Sequence, residues 1–180
     1  MDEAITHWLN LPAGRSPALD AVVIAITRFG VPLLIVCVGA QWLSVKDRMH
    51  VRHAAVAAGL SFLLGLIVNQ TLLLFLHRVR PYDIGLTHLI IPPSSDWSFP
   101  SDHATAAFAV AAAFMLQSLP GRGGLLLIGA LAIAWSRIFV GTHYLSDVIG
   151  GACTGILAAV AVRFAYREGT RLDRLVTGIL

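Results

Sequence analysis

A guanidinium, an imidazole and a carboxylate lie close together at the end of a long apolar stretch of this 180-residue chain. They belong to Arg137, His143 and Asp147, and Ser136 precedes the arginine. Charged groups are costly in apolar surroundings and are usually functional there. If the chain is helical from His143 onward, Asp147 follows one turn later and can fix the ring tautomer and raise its nucleophilicity. The cluster therefore predicts phosphate chemistry.

Two further clusters precede it. Arg78 and Arg80 offer rigid forks of donors for phosphate oxygens, and Pro81 restricts Arg80 to an extended conformation. Taken alone, such arginines also suit anchoring to lipid headgroups. In the second cluster Ser101 and His103 lead into an apolar run, where a helix start with free amides can cap or bind an anion. For His103 alone, structural and catalytic roles stay equally open.

The composition indicates a membrane protein. Hydrophobic residues make up 57% of the chain, charged residues only 13%, and the mean hydropathy is +0.76. This leaves too little polar surface for a soluble globule. The formal net charge of +3 comes from clustered arginines without a basic stripe of interleaved aromatics, which excludes a nucleic-acid partner. Cys37 and Cys153 each stand alone in apolar runs, which is typical of packing residues.

Five apolar runs have about the length needed to cross a bilayer, roughly 20 residues. We predict an all-α, polytopic transmembrane helix bundle whose spans are Phe29–Val45, Ala54–Leu76, Ala104–Leu119, Gly123–Thr142 and Val148–Val162. The whole of 1–180 is predicted to form one membrane-embedded domain, with a transmembrane core at 29–162 and a cytoplasmic tail at 163–180.

The N-terminal residues 1–28 are harder to interpret. Met1–Leu11 is typical of an amphipathic interfacial helix with Trp8 as an anchor. Ser16 and Pro17 predict a helix start, and we expect that helix to stop at Arg28. Two alternatives stay open, because the segment either lies in the interface or joins the next run as one long tilted helix. A sixth span is therefore left undecided.

Positive charge concentrates in alternate loops, which predicts that these loops are cytoplasmic. The residues concerned are Lys46, Arg48, Arg52, Arg122, Arg163, Arg167, Arg171 and Arg174. The alternation of spans then brings Arg80, Ser101, His103 and His143 together on the opposite, outer face.

The three clusters resemble the signature of the type 2 phosphatidic acid phosphatase superfamily. That signature combines lysine-x6-arginine-proline, proline-serine-glycine-histidine, and serine-arginine-x5-histidine-x3-aspartate elements. The third element is matched at every position, whereas Leu73 stands at the lysine and Asp102 at the glycine. Arg78 is our hypothesis for a substitute. Ser101-Asp102-His103 and the small size resemble the bacitracin-resistance branch of undecaprenyl-diphosphatases.

The resemblance implies a role for each candidate residue. His143 would be the nucleophile that forms a phosphohistidine, His103 the general acid and base, and Asp147 the residue that orients His143. Arg80, Ser101 and Arg137 would hold phosphate oxygens, so we expect neither a metal nor another cofactor.

The predicted function is hydrolysis of undecaprenyl diphosphate to undecaprenyl phosphate and phosphate, on the outer face of the bacterial plasma membrane. The predicted partners are this polyprenyl diphosphate lipid and the bilayer, and the oligomeric state stays open. A phosphatase for phosphatidylglycerophosphate or phosphatidic acid is the first alternative. The second is a channel or transporter with Arg137 and His143 along a pore. We interpret the other histidines, His7, His50, His53, His77 and His88, as solvated surface residues.

Overall fold

Seven α-helices account for most of residues 1–179, which are the residues described in this computed structural model. The helices are α1 (Asp2–Asn10), α2 (Pro17–Ala40), α3 (Arg48–Leu73), α4 (Asp102–Leu116), α5 (Pro120–Phe139), α6 (Leu145–Ala165) and α7 (Arg171–Thr177). A 3₁₀ turn at Gln41–Leu43 extends α2, and no strand occurs among the described residues. The predicted all-α membrane bundle is confirmed.

Helix α2 corrects the prediction for the N-terminal region. It starts as expected, with Ser16 as the cap and Pro17 in the first turn. The expected stop at Arg28 is wrong, since the helix continues to Ala40, and the alternative in which this segment joins the next run as one long helix is confirmed. Residues 17–40 therefore form one long helix, so Pro17–Arg28 is no separate sixth span and the boundary placed at residue 28 falls within α2.

The five predicted spans correspond to helices α2 to α6, but they differ in length. Four of them, counting the 3₁₀ turn with α2, are long and apolar enough to cross a membrane. Helix α4 has 15 residues and is about 22 Å long, shorter than the roughly 30 Å of the hydrocarbon core.

Helix α4 is the central element of the bundle. It packs against α3, α5 and α6, and alanines form much of its buried surface. Helix α6 approaches it closely because Gly151 and Gly155 carry no side chain. A Cβ at these positions would collide with the carbonyl oxygens of Ser101 and Thr105, respectively. This contact brings the N-terminal ends of α4 and α6 together.

At the opposite end, the chain after α6 folds back onto α3. His53 is fully buried, its Nδ1 lies 2.8 Å from Asp173 Oδ1, and its ring stacks on Tyr166 at 4.7 Å. His50 contacts Glu168 and the carbonyl oxygen of Gln117. The interpretation as solvated is wrong for the buried His53, whose partners are distant in sequence and meet it only in the folded bundle, whereas the His50 side chain stays 31% exposed.

Candidate active site

The chain turns sharply between α5 and α6, and this turn carries His143. Gly141 adopts a positive φ of 88°, and its carbonyl oxygen accepts a hydrogen bond from Thr87. His143 precedes α6, which begins at Leu145, so the helical spacing assumed for His143 and Asp147 does not apply. Asp147 instead lies in the first turn of α6, where its Oδ2 accepts a hydrogen bond from the backbone N–H of Tyr144 at 2.9 Å.

The ring of His143 is held by a backbone carbonyl. Its Nδ1 donates to the Ser98 carbonyl oxygen at 2.8 Å, whereas Asp147 Oδ2 lies 3.6 Å from the same nitrogen. Asp147 therefore contributes its charge from just beyond hydrogen-bond distance, and it accepts a 2.5 Å hydrogen bond from the Ser98 hydroxyl. Because Nδ1 carries the proton, Nε2 is left with a lone pair.

The surroundings favour neutral His143. Burial lowers the pKa of His143 to about 4, although Asp147 acts in the opposite direction, and the charges of Arg137 and Arg80 add to the lowering. The imidazole is therefore uncharged at neutral pH, which is the state that a nucleophile requires.

A small cavity of about 90 Å³ lies between the turn, the start of α4 and the end of α5. It is lined by Arg80, Ser94, Asp96, Trp97, Pro100, Asp102, His103, Arg137 and His143. Four of the predicted site residues, Arg80, His103, Arg137 and His143, thus share one cavity. Ser101 lies directly beside it, fully buried, and its Oγ has no hydrogen-bond partner within residues 1–179.

The two arginines of the cavity differ in how far their guanidinium groups are hydrogen-bonded to the protein. Arg137 is 7% exposed, takes part in none of the salt bridges of residues 1–179, and its Nε is buried without a partner among them. An uncompensated buried guanidinium of this kind is suited to an anion.

Arg80, in contrast, is fully engaged. Its Nε donates to the Asp96 carbonyl oxygen, and its Nη2 donates to Asp96 Oδ1 at 2.7 Å and to the Trp97 carbonyl oxygen. Its Nη1 donates to the Thr142 carbonyl oxygen at 2.9 Å and lies 3.4 Å from His143 Nε2. All of its N–H groups are thereby directed at the protein.

Arg78 does not line the cavity, so its place differs from that expected of a substitute for the missing lysine. Its Nη1 donates to Asp147 Oδ1 at 2.6 Å, its Nη2 donates to Asp2 Oδ2 at 2.8 Å, and its guanidinium lies 3.8 Å from the Tyr144 ring centroid. Asp102 accepts hydrogen bonds from Asn69 and Gln70 at the end of α3.

Sequence reasoning missed the contributions of Ser98, Asp96 and Asp2. All three act through loop or helix contacts that no local spacing reveals. Asn69 did carry a signal, because it is a polar residue in the middle of an apolar run. No group of three or more His, Cys, Asp or Glu side chains that could hold a metal ion occurs in residues 1–179, and the expectation of metal-free chemistry stays a prediction.

The structure is a membrane helix bundle in which two histidines and two arginines share one cavity. Comparison with known protein families identifies the class to which the chain belongs. The profile of the PAP2 superfamily matches residues 54–170, and the chain belongs to this superfamily. The chain is therefore a phosphatase, as predicted.

Particular relatives sharpen the comparison. Undecaprenyl-diphosphatase BcrC of Bacillus subtilis is 33% identical over 145 residues, covering 79% of this chain and 72% of the relative. Phosphatidylglycerophosphatase B of the same organism is 29% identical over 176 residues, covering 90% and 81%. The crystal structure of a transmembrane PAP2-type phosphatidylglycerolphosphate phosphatase from Bacillus subtilis has a TM-score of 0.70 at 26% identity, covering 94% of this chain and 86% of that one.

Proposed function

We propose that this phosphatase hydrolyses undecaprenyl diphosphate to undecaprenyl phosphate and inorganic phosphate. The observation that carries the proposal is His143, whose Nδ1 is bound to the Ser98 carbonyl oxygen and whose Nε2 lone pair is left at a cavity shared with the unpaired Arg137. The similarity to undecaprenyl-diphosphatase BcrC supports this choice of substrate.

In the first step, Nε2 of His143 attacks the terminal phosphorus, and the bond from phosphorus to the bridging oxygen breaks. His103 gives its proton to that oxygen, undecaprenyl phosphate leaves, and a phosphohistidine remains. In the second step, His103 takes a proton from water as the water attacks the phosphorus. The bond from nitrogen to phosphorus then breaks, which releases phosphate and restores His143.

Positive charge stabilises the transferred phosphoryl group in both steps. Arg137 and the Ser101 hydroxyl have unpaired donors for its oxygens. Arg80 can bind the group only after a contact to Asp96 has been given up, because its N–H groups are otherwise occupied. We therefore propose that the substrate displaces the Asp96 carboxylate from Arg80.

The site is proposed to face the outside of the plasma membrane. The basic loops and the chain after α6 lie at the end of the bundle opposite the cavity, and positive charge favours the cytoplasmic side. A substrate whose tail stays in the bilayer reaches such a membrane-embedded site without leaving the lipid.

Purified protein assayed for phosphate release from different lipid phosphates tests the proposal. We expect release from undecaprenyl diphosphate to exceed release from phosphatidylglycerophosphate, and release to continue in EDTA. The second candidate substrate is phosphatidylglycerophosphate, which is favoured by the longer matched span with phosphatidylglycerophosphatase B. Faster release from that glycerophospholipid would overturn the first choice.

A further inference from the structure

Arg78 lies behind the nucleophile, where it holds the carboxylate next to His143. Asp147 is fully buried, and its Oδ1 accepts the hydrogen bond from Arg78. Its Oδ2 faces the Ser98 hydroxyl, the Tyr144 N–H and His143 Nδ1. Binding one oxygen to Arg78 therefore fixes the direction in which the other oxygen points.

Asp2 on α1 holds Arg78 in turn. Its Oδ2 accepts from Arg78 Nη2 at 2.8 Å, and its Oδ1 accepts from the N–H of Ser146 at 3.0 Å. Partial burial raises the pKa of the Asp2 carboxyl, but hydrogen bonds from Ser146 and Arg78 outweigh it and lower the pKa overall. The carboxylate of Asp2 is thus ionised at neutral pH.

Two other polar side chains fix α1 against the turn that carries His143. Thr6 Oγ1 accepts from the N–H of Leu145 at 3.0 Å, and Asn10 Nδ2 donates to the carbonyl oxygen of Phe139 at 2.6 Å. Both are almost fully buried. Helix α1 therefore binds the chain on both sides of the nucleophile, which a helix serving only as a membrane anchor does not require.

We propose that Asp2 and Arg78 are positioning residues for His143, acting through Asp147. The inference rests on the proposed function, in which His143 is the nucleophile. The three groups form a row of alternating charge, carboxylate, guanidinium and carboxylate, which ends beside the imidazole. Neutralising Asp2 or Arg78 changes the field at His143, and the two changes have opposite signs.

The other charged and titratable groups around His143 stay constant in this comparison. They are Arg80 and Asp96 of the loop between α3 and α4, His103 of α4 and Arg137 of α5. Asp2→Asn leaves the charge of Arg78 uncompensated and disfavours protonation of His143. Arg78→Gln leaves Asp147 uncompensated and favours it.

The test is the pH dependence of kcat/KM for phosphate release, whose acid limb reports the free enzyme. We expect Asp2→Asn to move this limb to lower pH and Arg78→Gln to move it to higher pH, each by about half a pH unit. Arg78→Lys keeps the charge and should restore the limb to the wild-type position while turnover stays reduced. Glu3→Gln, in the same turn of α1, is the matched control and should move the limb much less than Asp2→Asn.

The position of a limb does not depend on how much protein folds when the folded fraction is constant over the pH range, so circular dichroism of each variant at each pH accompanies the assay. Reduced rates with an unmoved limb, or limbs that move in the same direction, overturn the inference. His143→Ala is assayed alongside. Retained phosphate release in that variant would contradict the proposed nucleophile itself, a result that differs from an active wild type with unshifted limbs.

Discussion

Residues 1–179 contain two buried pairs of histidine and aspartate, one at each end of the bundle. His143 and Asp147 lie at the cavity end, whereas His53 and Asp173 join α3 to α7 at the opposite end. In both pairs the histidine side chain is at most 5% exposed. The pairs therefore resemble each other in residue type and burial and differ in what surrounds them.

The surroundings of the two histidines distinguish a site suited to chemistry from a packing contact. His143 is beside a cavity with two arginines, and its own proton goes to a carbonyl oxygen. His53 contacts Asp173 directly, stacks on Tyr166 and lines none of the described cavities. A buried histidine and aspartate thus indicate catalysis only when space for a ligand and charge complementary to that ligand accompany them.

Replacing the two histidines should give the largest difference in kcat between the two ends of the bundle. We expect His143→Ala to lower kcat by at least about 10³-fold, because the covalent route is lost. His53→Gln, the matched control at the other end, should keep kcat within a few-fold of wild type. Single-turnover phosphate release measures both. Comparable losses of kcat in the two folded variants would contradict the distinction.

Removal of the Arg137 charge should have the next largest effect. We expect Arg137→Gln to reduce kcat by about 10²- to 10³-fold, because a buried donor for the phosphoryl oxygens is lost. Arg52→Gln is the control, since this arginine is buried at the opposite end and binds backbone carbonyls of Trp42 and Thr177. Steady-state assays should show a much smaller change in kcat there.

Replacement of Asp173 should affect stability instead of chemistry. Asp173→Asn weakens the contacts to His53, Tyr166 and the Gly169 N–H. We expect the melting temperature of the detergent-solubilised protein to fall by about 5–10 °C. The kcat of the folded fraction should be unchanged. A stable Asp173→Asn variant would show that α7 contributes little to the fold.

Asp96→Asn tests the difference between Arg80, which is bound to the protein, and Arg137, which takes part in no salt bridge within residues 1–179. Asp96 is half exposed and is bound to Arg80, so if it competes with substrate as proposed, its neutralisation should lower KM by about 2- to 5-fold with little change in kcat. Asp83→Asn, in the same loop, serves as the control. An increase in KM for Asp96→Asn would mean that the carboxylate helps to bind the substrate.

The smallest expected effect concerns acid stability. Burial raises the pKa of Asp173, but hydrogen bonds from Tyr166 and His53 outweigh it, so the pKa lies below the usual value of 3.8. A lowered pKa stabilises the fold above pH 3.8, and this contribution is lost as the pH falls through the folded-state pKa. Between pH 5 and about pH 3, the melting temperature of Asp173→Asn should therefore fall less than that of the wild type. Parallel curves of melting temperature against pH for the two proteins would exclude this contribution of Asp173.

The sequence predicted which side chains meet at the cavity better than it predicted the contacts that hold them there. Arg137 and His143 were recognisable because charge in an apolar run is costly and their spacing matches a known signature. The Ser98 carbonyl oxygen as the partner of His143 was not, since backbone groups leave no trace in residue types. His53 was misinterpreted because Asp173 follows it 120 residues later. The helix pattern was predictable from hydropathy, whereas Arg28 shows that one charge does not end a helix.

The contact of Gly151 with Ser101 has a consequence for how the site tolerates change. His103 and His143 are carried by different segments, and no direct bond between their side chains sets their separation. The close approach of Gly151 to the Ser101 carbonyl oxygen holds these segments together instead, and a Cβ on Gly151 would collide with that oxygen. Because a misplacement of about 1 Å can cost roughly 100-fold in rate, even an added methyl group at this position would act as a spacer between the proposed acid and the proposed nucleophile.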